Sequence, residues 1–97
     1  MPKGYWIAHA EVTDPTAWQA YVTTAKAAFE EHGAVFLARG GAAEELEGAA
    51  GRSRHVVIEF PSLEAAKACW QSDTYQAARK AREGAGQITI TVTEGLG

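Results

Sequence analysis

Residues Tyr5 to Val12 (YWIAHAEV) alternate, with Tyr5, Ile7, His9 and Glu11 on one face and Trp6, Ala8, Ala10 and Val12 on the other. This period of two predicts a strand. Thr13-Asp14-Pro15 breaks the alternation: Asp14 can accept from the free amides of a helix start, and Pro15 stands where its missing N–H costs nothing. Trp18, Tyr21, Val22, Ala25, Phe29 and His32 then recur at helical spacing as far as Gly33, a left-handed C-cap, which predicts a helix over residues 15–32. The run Ala34 to Arg39 (AVFLAR) is too short for a helix and reads as a second strand. Gly40-Gly41 reads as a bulge, Ala43 to Glu47 as an extension of that strand, and Gly48 to Gly51 as a turn into Arg54 to Phe60 (RHVVIEF), the third strand of a hairpin. Ser62 caps a second helix from Leu63 to about Gln71, with Leu63, Ala66 and Trp70 as its inner stripe and Cys69 beside it. Ser72-Asp73 starts a third, shorter helix carrying Tyr75, Ala78, Arg79 and Arg82 before Gly84. Finally Gln87 to Thr93 alternates strictly, Ile88, Ile90 and Val92 against Thr89, Thr91 and Thr93, as a half-buried strand does.

Strand, helix, strand, strand, helix, strand, with a helical extension before the last strand, is the split βαβ or ferredoxin-like α+β order. Right-handed crossovers put strands one and three in the middle of a four-stranded antiparallel sheet and both helices on one face, leaving the other face bare. A chain of 97 residues buries a modest core, so a self-complementary twofold homodimer through the bare face is expected.

Composition narrows the classes of function. At 97 residues, 46% hydrophobic and 22% charged, the chain suffices for one domain. Its net charge of −3 offers no basic field to a phosphate backbone, so no nucleic-acid partner is expected. No apolar run approaches the roughly 20 residues of a bilayer span, and Met1 to Tyr5 lacks the apolar core of a signal peptide, so a cytoplasmic protein with no membrane partner is expected. The single cysteine, Cys69, permits no internal disulfide and no Cys-based zinc framework; mid-helix, it reads as a packing residue. Neither a GxSxG elbow nor a GxGxxG or GxxxxGK loop is present, which removes the hydrolase, Rossmann and NTPase readings.

Gly4-Tyr5-Trp6-Ile7-Ala8, Val12-Thr13-Asp14-Pro15, Phe36-Leu37-Ala38-Arg39-Gly40-Gly41, Val57-Ile58-Glu59-Phe60-Pro61-Ser62 and Ser72-Asp73-Thr74-Tyr75 together resemble, in order, the pattern of a bacterial family, domain of unknown function 1330. The resemblance spans nearly the whole chain. It implies a dimeric α+β barrel in which two ferredoxin-like protomers pack sheet to sheet. The same superfamily includes cofactor-independent monooxygenases of antibiotic biosynthesis, muconolactone-type isomerases, chlorite dismutases and dye-decolorising peroxidases, so the fold alone selects no activity.

Strand period two puts His9 and Glu11 on the same face as His55, Val57, Glu59 and the three threonines, and adjacent strands one and three bring His9 and Glu11 towards His55 and Glu59. In an enzyme, His9 or His55 acts as the base and Glu59 orients it; otherwise these are polar residues of a dimer interface or a wet sheet face. No HExxH pattern or i, i+4 His pair supports a metal, and no cofactor is expected. Arg39, before Gly40-Gly41, suits a clamp on a substrate carboxylate or a structural pairing with Glu59 or helix carbonyls, and Arg54 shares both readings. Trp6, Trp18, Trp70, Tyr21, Phe29 and Tyr75 suffice to line an apolar pocket between sheet and helices. Tyr75 stands out as a substrate-binding candidate, since its hydroxyl needs a partner when buried and a helix start attracts anions. His32 suits the C-terminal end of the first helix. The function expected is binding of a small organic ligand by a homodimer, with a cofactor-independent monooxygenase or isomerase, or a dimerisation module without catalysis, as alternatives.

Overall fold

The computed structural model describes residues 2–48 and 51–97. The elements are β1 (Gly4–Val12), α1 (Pro15–Glu31), β2 (Val35–Arg39), β3 (Arg54–Phe60), α2 (Leu63–Gln71), α3 (Asp73–Ala81) and β4 (Gly86–Glu94). The strands form one antiparallel sheet in the order β2-β3-β1-β4, so the expected ferredoxin-like order holds and β1 and β3 lie in the middle.

Side chains of the predicted caps set the helix boundaries. Asp14 Oδ1 accepts from the amides of Thr16 and Ala17 at 3.1 and 3.2 Å, contributing about 1 kcal/mol by the usual worth of such a cap. At the other end His32 Nδ1–H donates to the Ala28 carbonyl at 2.8 Å, occupying an acceptor the helix leaves free. Ser62 Oγ accepts from the Ala65 amide at 3.0 Å, while Ser72 Oγ accepts from the Tyr75 amide at 3.2 Å and donates to the Cys69 carbonyl at 2.7 Å. One hydroxyl thus closes α2 and opens α3.

Trp6 anchors the core between sheet and helices. Its ring meets those of Phe29, Phe60 and Tyr75 with centroids 5.4, 5.4 and 5.1 Å away, and its Nε1–H donates to the Ala66 carbonyl at 2.8 Å. Full burial of such a ring is worth about 1.5–3 kcal/mol, and the satisfied N–H avoids the penalty that would offset it. At Gly4 the start of β1 passes so close to the start of α2 that a Cβ would stand 2.5 Å from the Ser62 carbonyl oxygen and 2.7 Å from Leu63 Cα. Hydrogen alone fits there.

The sequence misplaces three details. The bulge falls at Leu37, between the pairs Phe36–Ile58 and Ala38–Val57, and not at Gly40-Gly41; Gly40 instead ends the strand with φ 67°. Ala43 to Glu47 extends no strand and is exposed, because its Glu residues have no apolar face to bury. On α2 the inward positions are Ala66 and Cys69, and Trp70 is rotated aside with 37% of its surface exposed. The turn expected over Gly48 to Gly51 includes residues 49 and 50, which lie outside the described residues.

Candidate functional site

Antiparallel register fixes what each sheet face carries. On the face without helices, β1 and its neighbours form cross-strand rows: Thr93, Tyr5, Glu59 and Val35; then Thr91, Ile7 and Val57; then Thr89, His9 and His55. His9 and His55 meet as the sequence suggested, with their Nδ1 atoms 2.8 Å apart and their rings edge to face. One nitrogen donates and the other accepts. Glu59 does not orient either ring. It lies at the far row, where Tyr5 donates its hydroxyl to Oε2 at 3.0 Å and Lys3 Nζ stands 3.6 Å from Oε1. The hydrogen bond to Glu59, helped by burial and the carboxylate's negative charge, holds the Tyr5 phenol above its ordinary value. Glu11 pairs in register with Gln87, beyond the histidines. Ile7 and Val35 are 37% and 53% exposed and add an apolar strip to this face.

On the helix face, a cavity of about 520 Å³ opens between α1 and the sheet. Trp18, Tyr21, Val22 and Phe29 line it from the helix, and Phe36, Val56, Ile58, Ile88 and Ile90 from the strands. Arg39 and Arg54 line it as well. The bulge explains Arg39. Without the extra residue at Leu37, strict alternation from Phe36 would oppose Arg39 to His55 on the bare face; with it, Arg39 pairs with Val56 and turns to the helix side. Its guanidinium carbon lies 4.4 Å from the centre of the Phe36 ring. The alternative pairing of Arg39 with Glu59 does not form, since the two lie on opposite faces. Arg54 packs its guanidinium against Gly40.

Tyr75 lines no cavity. It is 0% exposed, and its hydroxyl finds its partner in the hydroxyl of Tyr21 at 2.8 Å, so the need for a partner that singled it out is met inside the core. Burial, the neighbouring Tyr75 and their hydrogen bond raise the Tyr21 phenol far above its ordinary value, with Arg82 opposing. Cys69 is buried beside the Ala28 carbonyl, 3.6 Å from Sγ, and burial, with the negative charge of Glu31, pushes its thiol up to about 12. That suits packing and not nucleophilic attack. Among the described residues, no three His, Cys, Asp or Glu side chains are grouped to hold a metal ion.

Sequence reasoning missed a second cavity, of about 580 Å³, between α2, α3 and β4. Lys67, Trp70, Arg79 and Arg82 line it, above Ile88, Ile90 and Val92. The available signal was the set of cations on two consecutive helices, which were read only for their effect on helix ends.

The arrangement of one bare sheet face and one helix-covered face with a cavity beneath is matched by a family profile, domain of unknown function (DUF1330), over residues 3–96. The chain belongs to the DUF1330 family. No curated protein matches it. Among solved structures, this DUF1330 chain is similar to a protein of unknown function from Rhodopseudomonas palustris, with TM-score 0.78 and 17% identity over 99% of this chain and 84% of that one. A dimeric protein of unknown function with a ferredoxin-like fold from Bacteroides fragilis gives TM-score 0.61 and 13% identity, covering 95% of each chain. SnoaB, a cofactor-independent oxygenase from Streptomyces nogalater, gives TM-score 0.65 and 10% identity over 100% of this chain and 96% of that one. At these identities the likeness is one of fold. No helix among the described residues is long and apolar enough to cross a membrane.

Proposed function

We propose that this DUF1330 protein is a homodimer, joined through its bare sheet faces, that holds a small organic ligand in the cavity under α1. The observation that carries the reading is the Leu37 bulge, which turns Arg39 to the side of an otherwise aromatic and aliphatic cavity. A cavity of about 520 Å³ lies within the range of small-molecule sites, and convergent polar groups in an apolar lining fix a ligand's orientation. Arg39 and Arg54 suit an anionic group on that ligand. Ile7, Val35 and Val57 support the dimer, since an apolar strip on a bare sheet favours burial, as does the dimeric neighbour from Bacteroides fragilis.

Binding is favoured over catalysis by His9, His55 and Glu59. These three side chains belong to the opposite face of the sheet, so proton transfer to a ligand under α1 is out of their reach. Among the described residues lining the cavity the one carboxylate is Glu30, which is exposed and pairs with Lys26 at 3.9 Å. His9 and His55 act in this reading at the dimer face. An oxygenase or isomerase working under α1 would have to proceed without a histidine base.

Native mass spectrometry of the gently purified protein, alone and with the Val22→Phe variant that fills the cavity, tests the reading. A dimer that carries an organic adduct in the parent and loses it in the variant supports it. A monomer, or an adduct retained by the variant, overturns it.

A further inference from the structure

Three of the chain's nine cations, Lys67, Arg79 and Arg82, line the cleft between α2, α3 and β4, in a protein of net charge −3. Among the described residues lining this cleft there is no carboxylate, and neither ion pair of the described structure involves any of the three. Their guanidiniums are held in place. Arg79 lies 4.7 Å from the centre of the Trp70 ring and donates through Nη1 to Gln76 Oε1 at 2.8 Å. Arg82 lies 5.0 Å from the centre of the Tyr21 ring, and its Nε is buried without a hydrogen-bond partner.

A buried donor without an acceptor costs about 1–3 kcal/mol, and more on a charged group, so a charged Nε in this position is a donor awaiting an acceptor. Like charges brought onto one cleft repel, and an anion among them reverses the sign of that interaction. The floor is apolar: Trp6, Ile88, Ile90 and Val92, with the Trp70 ring at one side. Cations above a flat apolar floor recognise a molecule with one anionic group and one flat or branched hydrocarbon body. The geometry points to a second ligand site in the cleft of α2, α3 and β4, specific for a small aromatic or branched carboxylate held by Arg82, Arg79 and Lys67. It shares Trp6, Ile88 and Ile90 with the cavity under α1, but it uses different cations.

The test titrates the full chain with 2-naphthoate and with its neutral isostere 2-naphthamide, following the side-chain Nε–Hε resonance of Arg82 by NMR, assigned by its loss in Arg82→Gln. Expected are a saturable shift of that resonance by naphthoate and affinity for the amide weaker by about tenfold or more, as loss of a charge-assisted pair implies. Lys67→Gln and Arg79→Gln, at positions on the rim of the cleft, should each weaken naphthoate several-fold, with Arg39→Gln unchanged. Equal affinity for acid and amide, or no shift at Arg82, overturns the inference. Naphthoate binding that is lost in Val22→Phe or Arg39→Gln while Arg82 stays unmoved overturns it too, and leaves the reading of the cavity under α1 standing. Conversely, a monomer with no adduct under α1 and a saturable Arg82 shift would remove that reading and keep this one.

Discussion

His9 and His55 face each other from the two central strands with Nδ1 atoms 2.8 Å apart, and a bond between two imidazole nitrogens of this kind holds one hydrogen. Each ring is therefore the other's partner, and the loss of either leaves a half-buried nitrogen unpaired. His9→Ala and His55→Ala should be non-additive, with a coupling of about 0.5–1.5 kcal/mol in a double-mutant cycle read by urea unfolding at one protein concentration. Strict additivity would show that the rings lie together without bonding.

A second pair is buried outright. Tyr21→Phe leaves the Tyr75 hydroxyl in the core without a partner and should cost about 1–3 kcal/mol, whereas Tyr21→Phe with Tyr75→Phe removes both polar groups and should cost less than the sum of the singles. Thermal unfolding of the three variants decides it.

Cys69 should be inert in the native protein. Its ordinary value of 9.0 is raised to about 12, so at pH 8 little thiolate exists and a disulfide reagent must wait for the fold to open. Labelling should run faster by about a thousandfold or more in denaturant than without it, given the usual stability of small domains. Comparable rates would place the thiol at the surface.

The same shift makes stability depend on alkaline pH. The unfolded chain loses the Cys69 proton near 9 while the folded chain keeps it to about 12, so the stabilising contribution is fully present below pH 9 and is lost as pH rises through 12. Tyr21, also raised by burial, acts in the same direction above pH 10. The urea midpoint should fall between pH 8 and pH 11, and Cys69→Ala should flatten the part of that fall that begins at pH 9. A midpoint that rises across this range contradicts both assignments.

Gly4→Ala should destabilise by about 1–3 kcal/mol or more, because the added methyl meets backbone at Ser62 and Leu63 that cannot turn away as a side chain can. A melting temperature within a degree of the parent's would mean that α2 can slide on the sheet.

The sheet order, all seven elements and the meeting of His9 with His55 were legible in the sequence because each rests on local signals: alternation over Tyr5–Val12, caps at Asp14, Ser62 and Ser72, and the fixed crossover hand. Arg39 and Tyr75 were legible as unusual residues but not as neighbours of anything. The side of Arg39 depends on one extra residue in β2, and glycines at 40 and 41 gave the more visible signal of a bulge. Tyr75 was chosen because its hydroxyl had no evident partner, and Tyr21, 54 positions away, is a partner that periodicity cannot supply. The cluster of Lys67, Arg79 and Arg82 stayed hidden for the same reason, since the kink at Ser72 sets how α2 and α3 face each other.

The Leu37 bulge makes the chemistry of this sheet a matter of parity. One residue added to or removed from β2 exchanges the sides of everything after it up to Gly40, so a relative with a strand one residue shorter would offer its cation to the histidines and not to the ligand. Position-by-position comparison across β2 would then equate side chains that never share a compartment, and counting residues from Phe36 is the surer guide to which of the family's arginines do the same work.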